Sequence, residues 1–306
     1  MLKVLITGGT GFVGRRLAEQ LLARGDQVTV LTRDAQRARG HFPSRVRCAS
    51  WTPEKEGPWV EELAVVDAVV HLTGEPVAQR WTAAAKERIV KSRVDVTRVL
   101  VDAIGKAAHK PSVLVSASAI GIYGPRRPDE EIDESSEPGK GFLADVAERW
   151  EEAARAVEAH GLRSAQVRLG VVLGDSGGAL EKMIIPFRLF VGGPVGDGKQ
   201  VISWVHRDDV VGMILLALDD ERVKGPLNAV SPNPATSTEV ARAIGAVINR
   251  PSWLHTPAAA VQLAMGEAAE ILTTGQRVLP RKAIELGYEF RYARLVPALE
   301  SILGEK

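Results

Sequence analysis

Thr7-Gly8-Gly9-Thr10-Gly11-Phe12-Val13-Gly14, preceded by the apolar run Lys3-Val-Leu-Ile6, decides the reading of this chain. A short strand that runs into glycines and then into residues at helical spacing is the opening of a β-α-β unit. In that setting the glycines serve different ends. Gly8 permits a tight turn, Gly11 lets the backbone approach a pyrophosphate, and Gly14 lets helix pack closely on strand. The phosphates would meet free N–H groups at the helix N-terminus, with Thr10, Phe12 and Val13 beside the glycines.

The alternation continues along the chain. Apolar runs at 3–7, 27–32, 46–49, 68–72, 112–117 and 165–172 read as strands, most of them apolar at successive positions, as in a parallel sheet buried on both faces. Between them 13–24, 82–108 and 142–159 carry apolar residues at helical spacing, and Gly25 and Gly161 are placed as C-terminal stops. Alternating strands and helices at this spacing predict an α/β fold, a Rossmann-type doubly wound parallel sheet with right-handed crossovers. After Gly174 the pattern changes: glycine pairs flank a helix candidate at 180–191, a helix at 205–218 returns to the sheet, and Pro232, Pro234, Pro251 and Pro257 punctuate the short pieces that follow. The expected organisation is a dinucleotide-binding domain over 1–170, rejoined by 205–230, and a smaller α/β lobe from 171–204 and 231–306 covering the substrate.

Composition narrows the class. With 39 Lys+Arg against 38 Asp+Glu, the net charge of +1 lacks the basic excess of a nucleic-acid binder. The single Cys48 excludes an internal disulfide and, with no second thiol, a zinc finger. No apolar run approaches the ~20 residues of a membrane span, and glycines follow the first strand too soon for a signal segment, so a cytoplasmic protein without a metal is expected.

The end of the second strand selects the dinucleotide. An acidic residue there holds the ribose 2′-OH of NAD, whereas an arginine accommodates the 2′-phosphate of NADP. The chain reads Leu31-Thr32-Arg33-Asp34. Thr32 and Arg33 favour NADP(H); the alternative leaves Arg33 as a solvated loop charge and gives the ribose to Asp34.

Further segments carry a resemblance. Leu72-Thr-Gly-Glu-Pro76, Arg80-Trp81-Thr82, Ser116-Ala-Ser-Ala-Ile-Gly-Ile-Tyr-Gly124, Arg168-Leu-Gly-Val-Val-Leu-Gly174, Trp204-Val-His206-Arg-Asp-Asp209, Gly266-Glu-Ala-Ala-Glu270 and the tail from Gly275-Gln-Arg-Val-Leu-Pro-Arg-Lys282 to Phe290 occur in order. With the glycine loop, they make the chain resemble an extended short-chain dehydrogenase/reductase, of the atypical nucleoside-diphosphate-sugar epimerase-like "epimerase family" branch. The resemblance implies further cofactor contacts: Trp51 beside the adenine, Leu72, Thr73 and Gly74 passing the pyrophosphate and ribose, and Arg168 to Val172 facing the nicotinamide. Glu87 and Arg93 on the 82–108 helix are further candidates, with solvated helix charges as the alternative.

Typical members of the superfamily carry Tyr-x-x-x-Lys, the lysine lowering the tyrosine pKa from about 10 toward neutrality. Here the corresponding helix reads Phe142-Leu-Ala-Asp-Val146, so the phenol and ammonium have become Phe and Val, which cannot transfer a proton. Substitutes are sought at the sheet's carboxyl edge in Ser118, Tyr123, Glu75 and His206. Tyr123 reads equally as a packed loop residue, and His206, ahead of two aspartates at a helix start, as a tie between loops. The expected activity is an NADP(H)-dependent oxidoreductase or epimerase acting on a small carbonyl or sugar-like molecule; the alternative is a non-catalytic NADP(H)-binding protein.

Overall fold

A computed structural model describes residues 1–304. Seven parallel strands form the central sheet: β1 Lys3–Thr7, β2 Gln27–Thr32, β3 Arg47–Ser50, β4 Ala68–His71, β5 Val113–Ala119, β6 Arg163–Leu169 and β7 Gly225–Ala229, in the spatial order β7-β6-β5-β4-β1-β2-β3. The order reverses direction beside β1, which is where an open parallel sheet leaves a crevice at its carboxyl edge. This is the expected Rossmann-type architecture.

Both faces of the sheet are covered because its strands are apolar at successive positions. Val4 and Ile6 pack on one side with Leu17 and Leu21 of helix α1 (Phe12–Ala23) and with Val210, Met213 and Ile214 of the later helix Arg207–Asp219. Leu5 points the other way, into a cluster with Leu100, Ile104 and Leu114. The expected 82–108 helix, α2, runs as Ala83–Val90, a widened π turn at Lys91–Asp95, and Val96–Lys106. The 142–159 helix, α3, spans Phe142–Arg155 and tightens into a 3-10 turn over Ala156–His160. Gly25 and Gly161 both take left-handed φ, at 89° and 85°, as their positions after helices require.

Two expectations are corrected and one strand is added. The run 165–172 is two strands, because Gly170 bends the chain so that Val171–Leu173 leaves the sheet and pairs with Trp204–His206; a Cβ on Gly170 would stand 2.4 Å from the Ser203 carbonyl oxygen. The 180–191 candidate is broken into Gly178–Met183 and Ile185–Arg188, the second starting around Pro186, which has no N–H to continue the first. The edge strand β7, Gly-Pro-Leu-Asn-Ala, carries no β-branched residue and is not among the strands the sequence predicts.

Beyond the sheet, Leu173, Leu180, Phe187 and Trp204 share a separate cluster with Val240, Ile244 and Leu299, so the segments before 205 and after 230 build one core. Among the described residues no helix is long and apolar enough to cross a membrane, and no group of His, Cys, Asp or Glu is arranged to hold a metal.

Candidate functional site

The glycine loop forms a cradle whose shape depends on absent side chains. Gly8 holds φ +70°, and a Cβ there would lie 2.8 Å from the Leu72 carbonyl carbon, so this turn and the segment after β4 lie backbone to backbone. Gly14 is tighter, since its Cβ would meet the Gly8 oxygen at 2.3 Å. Gly11 differs: an added Cβ would touch only that oxygen, at 3.1 Å, and otherwise faces open space. It is the N-cap of α1, with no side-chain cap and no acidic residue in the first turn, so the helix's positive end is left for an anion. Thr73 Oγ1, beside the cradle, is buried without a hydrogen-bond partner. A dinucleotide pyrophosphate and ribose fit this space, charge and spare hydroxyl.

At the end of β2, Asp34 Oδ1 accepts from the Arg37 N–H at 2.9 Å and caps the short helix Ala35–Arg39. Thr32 is half-buried, and Arg33 is exposed with no hydrogen-bond or ion-pair partner among the described residues. Arg93, placed on the π turn, lies against the Gly74 backbone, with Nη1 donating to the Glu75 carbonyl at 2.8 Å and the guanidinium 5.1 Å from the Trp150 ring. Burial lowers its pKa to about 10. Glu87 is exposed on the preceding turn. Trp51 is not an open platform: its ring is buried edge-on against Trp59 and His71.

Two of the catalytic candidates, Ser118 and Tyr123, meet in one buried network, which Glu75 and His206 do not join. Ser118 Oγ donates to Glu151 Oε1 at 2.6 Å, and Arg168 grips the same carboxylate through Nε and Nη2 at 2.7 and 2.8 Å. Arg168 Nη1 also donates to the Tyr123 hydroxyl at 2.7 Å, and Tyr123 donates to Asn228 Oδ1 at 2.8 Å. Tyr123 is fully buried, and burial pushes its phenol up to about 12, away from neutral-pH acid–base work. Tyr123 thus stands as the packed, bridging residue that was the second of its two readings, and the Arg168 guanidinium is turned into the same buried network. Val172, past the bend, is half-buried against the sheet's helical layer. Glu75 stays near the rim of the crevice, its carboxylate accepting from Gln79 at 3.2 Å.

His206 is the tie between loops. Its Nδ1 accepts from the Asp208 N–H at 3.0 Å, capping helix Arg207–Asp219, and its ring stacks on Tyr292 with centroids 4.0 Å apart. Its neighbours complete a clamp: Arg207 holds Asp175, Asp208 takes Arg16 in two bonds of 2.7 and 3.0 Å, and Asp209 accepts from the Arg291 and Tyr292 N–H groups. Sequence reasoning missed two residues of the buried network, Glu151 and Asn228. Glu151 had a signal, because with Ala144, Ala147 and Ala154 it occupies the buried stripe of α3, where an acid requires a partner.

Burial lowers the pKa of both His71, held between Thr7 and Thr97, and His206 to about 4. The unfolded chain takes up these protons near pH 6.5 and the folded chain only near 4, so stability is full above about 6.5 and declines as pH falls through this window. The urea midpoint is expected to drop between pH 7 and pH 5, by less in His206→Asn, where one of the two groups is gone. A midpoint that rises on acidification would contradict this.

The position of the family's tyrosine is apolar. Phe142 meets Trp81 edge-on at 5.1 Å, and Val146 is buried with Ile89 and Ala268. Outside Phe142 a cleft of about 340 Å³ opens between the start of α3 and the lobe's residues 262–274.

Comparison with known proteins places the chain. The model of the NAD dependent epimerase/dehydratase family matches residues 4–231, and a domain of unknown function, DUF1731, matches 256–302. The Arabidopsis thaliana epimerase family protein SDR39U1 homolog, chloroplastic, is 42% identical over 302 residues, covering 98% of this chain and 86% of that protein. The epimerase family protein YfhF of Bacillus subtilis is 35% identical across 100% of this chain and 99% of its own length. The crystal structure of human epimerase family protein SDR39U1 (isoform2) with NADPH superposes with a TM-score of 0.87 at 35% identity, covering 100% of both chains. With its glycine cradle at the crevice of a seven-stranded parallel sheet, the chain belongs to the NAD dependent epimerase/dehydratase family.

Proposed function

We propose that this family member binds NADP(H) in preference to NAD(H) and uses it as an oxidoreductase or epimerase on a small carbonyl or sugar-like molecule. The observation that carries the cofactor preference is at the end of β2: Asp34 is spent as a helix cap, which leaves Arg33 as the group available to a 2′-phosphate. That the human relative's structure holds NADPH supports the same reading. Hydride chemistry is supplied by the cofactor when bound. The chain's part is to cradle the phosphates between Gly8 and Gly14, hold the segment 72–74 against them, and cover the substrate side with residues 171–204 and the lobe beyond 230. Arg33→Ala is expected to remove most of the preference for NADPH over NADH, about 1.5–3 kcal/mol for a charged hydrogen bond, with little change in NADH affinity. Equal affinity of the wild type for the two cofactors would overturn the preference.

One observation favours a second reading, a non-catalytic NADP(H)-binding protein. The hydroxyls of Ser118 and Tyr123 are both engaged within the protein, and the usual phenol and ammonium are replaced by Phe142 and Val146. NADPH oxidation across a panel of carbonyl compounds separates the two: turnover of any of them supports the enzyme, and none with bound NADPH supports the binding protein.

A further inference from the structure

Two neighbouring segments of the lobe hold large apolar side chains out in solvent. Leu189 and Phe190, which follow the short helix Ile185–Arg188, are 67% and 56% exposed, and Trp253 and Leu263 are 68% and 81% exposed. The other five of the six tryptophans are buried, so Trp253 stands apart. Backbone bonds join the two segments edge to edge: the Leu254 N–H donates to the Gly192 carbonyl at 3.1 Å and the Thr256 N–H to the Pro194 carbonyl at 2.9 Å. The Arg250 guanidinium lies over the Phe190 ring at 4.7 Å. Helix Ala258–Met265 follows directly, apolar apart from Gln262, yet Val261 is its one buried residue. A helix apolar on every side is normally enclosed by protein or by lipid.

Phe190 stands where a glycine is expected. The Val191 N–H reaches the Pro186 carbonyl and the Phe190 N–H the Phe187 carbonyl, both at 2.9 Å, which is the Schellman ending of a helix. The left-handed residue of that ending is commonly glycine, and Phe190 occupies it with φ +64°. A bulky side chain there strains the backbone, and a ring held in solvent by a strained turn points to a surface used for contact. The surrounding charge is mostly of one sign. Between 181 and 192 and between 249 and 266 the chain carries Lys182, Arg188 and Arg250 against Glu181, and no other Lys, Arg, Asp or Glu.

We propose that this face of the lobe docks on an anionic lipid bilayer, with Leu189, Phe190 and Trp253 entering the interfacial layer and Lys182, Arg188 and Arg250 meeting the headgroup charge. A lipid surface fits better than a protein one for two reasons. Side chains that stand so far out require matching pockets on a protein partner, whereas acyl chains close around them. A second copy of the same face would bring like basic groups together, whereas anionic headgroups neutralise them. The contact is peripheral, since no described helix is long and apolar enough to cross a membrane.

The test floats the full chain with vesicles of phosphatidylcholine alone and of an equal mixture of phosphatidylcholine and phosphatidylglycerol, at low and at high salt. Binding to the mixed vesicles is expected to be about tenfold or more tighter than to the neutral ones, and to weaken as salt screens the charge. Tryptophan emission should shift to the blue as mixed vesicles are added, and the shift should be missing in Trp253→Phe, because the other five indoles are already buried. Phe190→Gly separates docking from folding. Glycine suits the left-handed turn, so the melting temperature is expected at or above that of wild type while affinity for the mixed vesicles falls about tenfold. No flotation with the mixed vesicles, equal binding to the neutral ones, or wild-type binding by Phe190→Gly would each overturn the proposal. So would a blue shift that depends on Trp253 and grows with protein concentration in the absence of lipid, which would assign the face to a second copy of the chain.

Discussion

Glu151→Ala is expected to cost about 3–5 kcal/mol of folding stability, the usual range when one partner of a buried ion pair is removed. The carboxylate accepts from Ser118 and from two nitrogens of Arg168, and the pair's side chains are 2% and 8% exposed. Without it, a guanidinium stays inside the protein with only the Tyr123 hydroxyl as partner, and Ser118 loses its acceptor. Glu151→Gln should lose less, because the amide oxygen still accepts although the charge is gone. Urea unfolding of the two variants beside wild type measures the difference. A loss below about 1 kcal/mol in Glu151→Ala would mean that water enters and solvates Arg168, and that the network is not a closed one.

Gly11→Val is expected to abolish dinucleotide binding, by about a hundredfold or more, in a protein that remains folded. Two lost phosphate hydrogen bonds of charged type are enough for that factor. Gly11 has an ordinary φ of −78°, and the nearest atom to an added Cβ is the Gly8 oxygen at 3.1 Å, so the folded chain can accommodate a side chain that a pyrophosphate cannot. Gly14→Ala is the informative contrast, since its methyl would lie 2.3 Å from that oxygen and distort the turn itself, lowering stability together with binding. NADPH titration with a parallel melting curve separates the two. Normal NADPH affinity in Gly11→Val would mean that the cofactor does not use this loop.

The sheet was legible because its strands are buried on both faces and its helices have strict periodicity, both properties of neighbouring residues. The edge strand β7 was not legible, because its place is set by pairing with β6 across the register Gly225 to Ala165, and its own composition is that of a turn. The glycine loop was legible for the same local reason: Gly8, Gly11 and Gly14 differ in what a side chain would strike, and their spacing encodes it. The carboxyl edge was harder. Serine, tyrosine, arginine and histidine are the residue types of proton chemistry and equally those of buried hydrogen-bond networks. Which of the two holds for Ser118, Tyr123, Arg168 and His206 depends on Glu151, Asn228 and Asp208, two of which lie far from them in sequence. The partner of Tyr123 is 105 residues away.

Phe12 has a consequence for descent and for engineering. Its ring fills a socket in which a Cβ on Gly174, Gly177 or Gly178 would approach to 2.7, 3.1 and 2.8 Å, and Arg207 caps it from 4.9 Å. The first turn of the nucleotide helix and a loop more than 160 residues later are therefore a plug and its mould. A hybrid that joins the opening half of this chain to the closing half of a relative inherits a plug cast for another mould. Such a hybrid folds well only if the bulk at position 12 and the smallness at 174, 177 and 178 travel together, so these four positions form one heritable unit despite their distance along the chain.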